Sequence, residues 1–96
     1  MKNKLLKIIN HYGIDNQLKY IHSEYFELDE AICAEKYDIE GCFFENIYNH
    51  IAEEIADVMV MLKQFQYYYG IEDKQIEDIM NYKINRQLER IKNETI

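Results

Sequence analysis

Residues 52–62 read AEEIADVMVML. The run holds neither proline nor glycine, and its apolar residues recur at three- and four-residue steps, the period of an amphipathic helix. Ile47, Ile51, Val58, Leu62 and Phe65 carry the same pattern to either side. A stripe of that kind must be buried against another element. A helix turns by about 100° per residue. On that wheel Glu54 lies between Ile51 and Val58, and Asp57 sits on the adjoining edge with His50 and Met61. An acid pair is therefore set into the stripe, not on the opposite, watery face.

Residues 22–32, HSEYFELDEAI, repeat the arrangement. Leu18, Ile21, Tyr25, Leu28 and Ile32 supply the apolar stripe of this helix. Glu24 and Glu27 flank Leu28 and Ala31, and Gln17 and Tyr20 extend the same line toward the N-terminus.

From these two segments the whole chain resolves into four helices. The first runs from about Asn3 to His11 and is ended by Gly13. Asp15 is expected as N-cap of the second, because its side chain can accept from free backbone N–H groups; that helix runs to about Lys36. Tyr37–Gly41 is a loop. The third helix starts near Phe43–Asn46 and reaches Tyr69, with Gly70 at its C-terminal cap. Asp73 caps a fourth that continues to about Asn93. Here Ile76, Ile79 and Met80 begin an apolar stripe, and Ile84, Leu88 and Ile91 continue it on an adjoining face. Short connections between long helices imply antiparallel neighbours. The expected fold is a single all-α domain over residues 1–96, an antiparallel bundle of about four helices.

Composition agrees. The 96 residues hold no proline and three glycines, too little punctuation for many short strands. The formal net charge of −7 argues against nucleic acid as a partner. It does not argue against a phosphorylated small molecule bridged by a divalent cation. Cys33 and Cys42 do not stand at a zinc-ligand or redox spacing, and two reduced thiols in a cytoplasmic protein are expected. No run approaches the length of a membrane span, and Met1–Asn10 is too poor in apolar residues for a signal peptide.

Ionised carboxylates set into apolar stripes need compensation by pairing, protonation or a metal. One such acid is ordinarily half exposed at a bundle edge and paired with a lysine. Two pairs at equal i, i+3 spacing, on two long helices, can instead converge four oxygen ligands when the helices cross. Hard oxygen ligands of this kind select Mg²⁺ or Mn²⁺, and Mg²⁺ commonly arrives with substrate phosphates. Lys83, Arg86 and Arg90 share one face of the fourth helix. They suit either a solvated basic surface near a helix C-terminus or, beside a metal cluster, a phosphate clamp.

Glu24-x-x-Glu27 followed by Glu54-x-x-Asp57 resembles the signature of the all-α nucleoside triphosphate pyrophosphohydrolases, the MazG-like superfamily. Within it the chain looks like the small phage- or Firmicute-type members. GIDNQLKYIHSEYFELDEAI resembles their first metal helix, AEEIADVMVMLKQFQYYYGI the second and YKINRQLERI the basic C-terminal helix. The resemblance implies hydrolysis of a (d)NTP to (d)NMP and pyrophosphate, with Mg²⁺ required and Mn²⁺ a possible substitute, in clearance of the nucleotide pool. It implies Glu24, Glu27, Glu54 and Asp57 as metal ligands, and Glu53 or Glu54 as the group that orients or deprotonates water. Lys83 and Arg86 match the phosphate-facing positions, with Arg90 behind them. Gln17, Tyr20, His22 and His50 are the candidates for base or sugar contact. Relatives assemble as homodimers or homotetramers, and Tyr67, Tyr68 and Tyr69 would suit a subunit interface or a core.

Ser23 departs from the family pattern, in which a glutamate often opens the first motif. It supports the competing expectation of a non-catalytic helical module that binds nucleotide or protein. A di-iron carboxylate bundle is set aside, because it needs E-x-x-H pairs and the chain has none.

Overall fold

The computed structural model describes residues 1–37 and 44–94, with the side chains of 44–47 left aside. It contains α1 (Lys2–Tyr12), α2 (Ile14–Lys36), α3 (Phe44–Tyr68) and α4 (Asp73–Glu94), and no strand among the described residues. The all-α expectation holds, with each helix end within a residue or two of its expected place. Most of the loop expected over Tyr37–Gly41, together with Cys42 and Phe43, lies outside the described residues, as does the side chain of Ile47.

A single residue separates α1 from α2. Gly13 has φ 89°, a region that side-chain-bearing residues rarely adopt. Its N–H donates to the Ile9 carbonyl at 2.8 Å, and its own carbonyl accepts from Gln17 N–H at 3.1 Å. Gly13 is thus the N-cap of α2. Asp15 was expected there, but it lies in the first turn and no side chain caps the helix. Its charge still sits at the positive end of the helix dipole.

The end of α3 is a Schellman turn. Gly70, at φ 69°, donates to the Tyr67 carbonyl, and Ile71 N–H donates to the Gln66 carbonyl, both at 3.0 Å. Asp73 then ties the start of α4 back to α3. Its carboxylate accepts from Lys63 Nζ at 2.7 Å, Gln66 Nε2 at 2.8 Å and Tyr67 Oη at 2.8 Å. The side chain expected to cap α4 is thus bound by three groups of the preceding helix.

Helices α1, α2 and α3 pack on one another, α2 against α3 most extensively; beyond the turn that leads into it, α4 packs on none of them. Among the described residues the buried apolar ones are few: Leu5 and Ile9 of α1, Ala31 of α2, and Met61 and Tyr67 of α3. Two expectations are corrected here. The face of α2 that meets α3 is Gln17, Glu24 and Ala31, whereas Leu18, Tyr25 and Ile32 of the expected stripe are exposed. Gln17 meets Gln64 across this contact, whereas Glu24 meets the carboxylates of Glu54 and Asp57. Leu62 of α3 is likewise exposed, and no residue of α4 is buried. Of its stripe only Ile76 is partly covered.

Candidate metal centre

The antiparallel crossing of α2 and α3 brings the two acid pairs together. Glu24 and Glu27 come from one helix, Glu54 and Asp57 from the other, and one carboxylate oxygen from each lies within 4.8 Å of all the others. The i, i+3 spacing places both members of each pair on the same side of their helix.

The four are not equivalent. Glu24 and Glu54 are buried, at 8% and 7% exposure, while Glu27 and Asp57 open to solvent. Glu24 Oε2 and Glu54 Oε2 have no hydrogen-bond partner. Buried polar atoms are normally satisfied, so the two orphaned oxygens beside this cluster need an explanation. Burial raises the pKa of both carboxyls. Beyond burial, the charges of Glu27 and Asp57 push Glu24 up, and that of Glu27 does the most to Glu54. Cationic relief is slight: His50 Nδ1 is 3.7 Å from Glu54 Oε1 and is itself exposed. Glu24, by its charge and by hydrogen bonding, also raises the Tyr20 phenol.

A cavity of about 660 Å³ adjoins the cluster, with Glu24 and Asp57 in its wall. That volume is in the range of small-molecule sites. Ile8 and Tyr12 of α1 and Val60 and Met61 of α3 supply apolar surface. The polar floor is a buried amide pair in which Gln17 Nε2 donates to Gln64 Oε1 at 2.7 Å. Gln64 is 2% exposed and has a further contact to Met61 Sδ at 3.6 Å. Tyr20, Ser23 and Lys19 complete one side, and Lys19 is the sole cation of that wall among the described residues.

Of the residues singled out in the sequence, Gln17 and Tyr20 line the cavity beside the four acids. His50 stands at the edge of the cluster. Glu53 is exposed next to Glu54, outside both the four-carboxylate group and the cavity wall. His22 is exposed and does not line the cavity. Lys83, Arg86 and Arg90 are exposed on α4, and none of them lines the cavity. Sequence reasoning missed Lys19, Gln64 and the contribution of α1. For Lys19 a signal existed, since it precedes Ser23 by one helical turn and shares its side of α2. Gln64 lies seven residues beyond Asp57, two turns along the same face.

The donor set fits a hard divalent cation. All four donors are carboxylate oxygens, two of the four residues are buried and keep an unpartnered oxygen, and no thiol or imidazole stands among them. Comparison with family models, with curated proteins and with solved structures finds no match to this chain.

Proposed function

We propose that the protein is a Mg²⁺-dependent nucleoside triphosphate pyrophosphohydrolase that clears (d)NTPs from the cytoplasmic nucleotide pool. The observation that carries this reading is the convergence of Glu24, Glu27, Glu54 and Asp57, with two buried oxygens that lack any partner. Mg²⁺, or Mn²⁺ in its place, would offset triphosphate charge and activate water. Support also comes from the resemblance of both acidic motifs to the MazG-like pattern and from the adjoining cavity, which is large enough for a nucleoside.

In this reading the chain's residues divide the work. Glu24 and Glu54 hold the inner side of the cation, and Glu27 and Asp57 its solvent side. Lys19 meets a phosphate at the cavity wall. Gln17, Gln64 and Tyr20 receive the base or sugar, with His50 at the margin. The bond between the α- and β-phosphates is split by water, giving a monophosphate and pyrophosphate; Glu53 or Glu54 accepts the proton. Lys83 and Arg86 stand on α4 and reach phosphates only if that helix docks beside the cavity of a second copy.

The competing reading is a nucleotide-binding module without turnover. Ser23 in the cavity wall and the absence of the α4 cations from it favour this alternative. The deciding experiment measures pyrophosphate release from a panel of dNTPs and NTPs, with and without Mg²⁺, for wild type and Glu54→Gln. Metal-dependent monophosphate formation that the substitution abolishes is expected. Nucleotide binding without product would select the module, and orthophosphate with a diphosphate would place the cleavage at another bond.

A further inference from the structure

Two neighbouring amides in the cavity wall have their nitrogens committed and their oxygens left over. Asn16 Nδ2 donates to the Tyr12 carbonyl at 2.7 Å, across the reversal at Gly13. A carbonyl only accepts, so the nitrogen of Asn16 must face it and the oxygen turns elsewhere. Gln17 Nε2 donates to Gln64 Oε1 at 2.7 Å. The direction of that bond is set one step further in. Gln64 Nε2 lies 3.6 Å from Met61 Sδ, a weak acceptor to which an amide oxygen has nothing to give. Gln64 therefore turns its oxygen to Gln17, and Gln17 answers with its nitrogen.

Neither Asn16 Oδ1 nor Gln17 Oε1 accepts a hydrogen bond from any described residue. Among those residues the side-chain polar atoms enclosed without a partner are Glu24 Oε2 and Glu54 Oε2 alone. Gln17 as a whole is buried, so its unpaired Oε1 escapes enclosure only by opening into the cavity that Gln17 lines. Asn16 lines the same cavity. Lys19, the sole cation of the wall among the described residues, stands further along α2 toward the acid cluster.

Spacing relates this amide end to the metal centre. Gln17 precedes Glu24 by seven residues, and Gln64 follows Asp57 by seven. Two turns of helix, about 10 Å, therefore separate the amides from the carboxylates on both α2 and α3. That is the reach of a nucleotide from a metal-bound phosphate through its sugar to the edge of its base. Tyr12 and Tyr20 offer rings on which a base can stack.

Two oxygens without partners select a group that has hydrogens to give. The exocyclic amino group of cytosine, adenine or guanine carries two. Uracil has a carbonyl where cytosine has its amino group, and that oxygen would meet the amide oxygens with no hydrogen between them. A mismatch of this kind leaves polar groups of both partners unpaired, and a site built on hydrogen bonds discriminates most strongly that way. We propose that the Asn16–Gln17 end of the cavity is a base-selecting subsite that takes amino-bearing bases and rejects uracil and thymine. Gln64 and Met61 are its positioning residues, since they fix which end of Gln17 faces the ligand. The proposal rests on the nucleotide reading above and adds which nucleotides are taken.

The test uses non-hydrolysable α,β-imido triphosphates, so that binding is read apart from turnover. Calorimetry in the presence of Mg²⁺ compares the deoxycytidine analogue with the deoxyuridine one, and deoxyadenosine with deoxyinosine. Each pair exchanges an amino group for a carbonyl at constant size. The amino-bearing member should bind about tenfold tighter or more. Gln17→Met should bring the deoxycytidine analogue down to the affinity of the deoxyuridine one. Inorganic tripolyphosphate, which has no base, should bind alike to wild type and variant. Because Gln17→Met strands Gln64 Oε1, the double change Gln17→Leu, Gln64→Leu, which leaves no stranded oxygen, is measured beside it and should lose the same preference. Should both variants fail to fold, the wild-type comparison decides. Equal affinities within each pair, or a preference for the carbonyl member, overturn the inference and leave the nucleotide reading standing. So does an amino preference that survives Gln17→Met undiminished. If no nucleotide analogue binds, the nucleotide reading falls and the inference falls with it.

Discussion

Glu24 of α2 and Glu54 of α3 bury one unpartnered carboxylate oxygen each at the same crossing point. Two carboxyls in that position work against the fold unless something positive joins them. Burial and neighbouring acids raise both folded-state pKa values above the unfolded ones. The sign follows from linkage: the folded state binds more protons than the unfolded state between those two values. The metal-free protein should therefore gain stability as pH falls from the raised folded value toward the ordinary carboxylate range. Above the folded value the penalty is present in full. Glu54→Gln removes a buried charge and should stabilise the metal-free protein at neutral pH. The same substitution should abolish stabilisation by added Mg²⁺ or Mn²⁺. At a hundredfold excess over Kd a cation would add about 2.7 kcal/mol to wild type. Urea unfolding with and without Mg²⁺, for both proteins, checks each arm; a destabilised metal-free Glu54→Gln would contradict the account.

Asp73 behaves in the opposite sense. Hydrogen bonds from Lys63, Gln66 and Tyr67 hold its carboxyl well below the usual range. A depressed folded pKa contributes stability that is present above the unfolded value and lost as pH falls through the folded one. Lys63, raised chiefly by its hydrogen bond to Asp73, contributes below its ordinary value and loses that contribution as pH rises through the folded one. Asp73→Asn should thus destabilise at neutral pH and flatten the acid limb of the stability profile. Because the same carboxylate orients α4, amide exchange over residues 73–80 should accelerate more than exchange in α2. Equal exchange in wild type and variant would show that Gly70 alone sets the turn.

The Gln17–Gln64 pair is a buried amide contact at 2.7 Å, with Gln64 almost fully enclosed. Gln17→Ala strands the Gln64 Oε1 in the interior, and an unsatisfied buried acceptor costs about 1–3 kcal/mol. Replacing both glutamines by leucine removes the stranded group and should cost less than the sum of the single changes. A double-mutant cycle in urea measures that coupling; strict additivity would mean that the amides act separately.

How far the sequence reached is clearest on α2. The acid pair was legible because i, i+3 spacing fixes the side of a helix whatever packs against it. The same holds for Glu54 and Asp57, whose partners across the crossing could be anticipated from the pairing of two equal motifs. Which face of α2 is covered was not legible. Leu18, Tyr25 and Ile32 are the more apolar set, yet Gln17, Glu24 and Ala31 make the contact with α3. Periodicity finds an apolar stripe, but it cannot say whether the stripe is covered by the chain itself or by another molecule. The same ambiguity explains α4, whose stripe was expected in the core and is open beyond Ile76. The cavity was out of reach for a different reason. Its wall includes Ile8 and Tyr12 of α1, whose place beside α2 and α3 depends on the reversal at Gly13, not on any motif.

Lys19 and Lys83 make contrasting predictions for turnover. Lys19 lies in the cavity wall one helical turn before Ser23, and the serine leaves it without a neighbouring glutamate at that position. A charge-assisted hydrogen bond to a phosphate is worth about 1.5–3 kcal/mol, or roughly 10- to 150-fold in kcat/KM. Lys19→Ala should show a loss of that order with Mn²⁺ affinity unchanged, because the four carboxylates are intact. Lys19→Arg should recover part of it, since the guanidinium keeps the charge on a longer arm. Lys83→Ala should matter only where α4 of one copy reaches the cavity of another. Its effect should then fall on dilution to concentrations at which the copies separate, while the effect of Lys19→Ala persists. Steady-state pyrophosphate release, with Mn²⁺ binding followed by electron paramagnetic resonance, distinguishes the two. Unchanged kinetics in Lys19→Ala would remove that residue from the phosphate site, and a Lys83→Ala defect that survives in the separated chains would place α4 beside its own cavity.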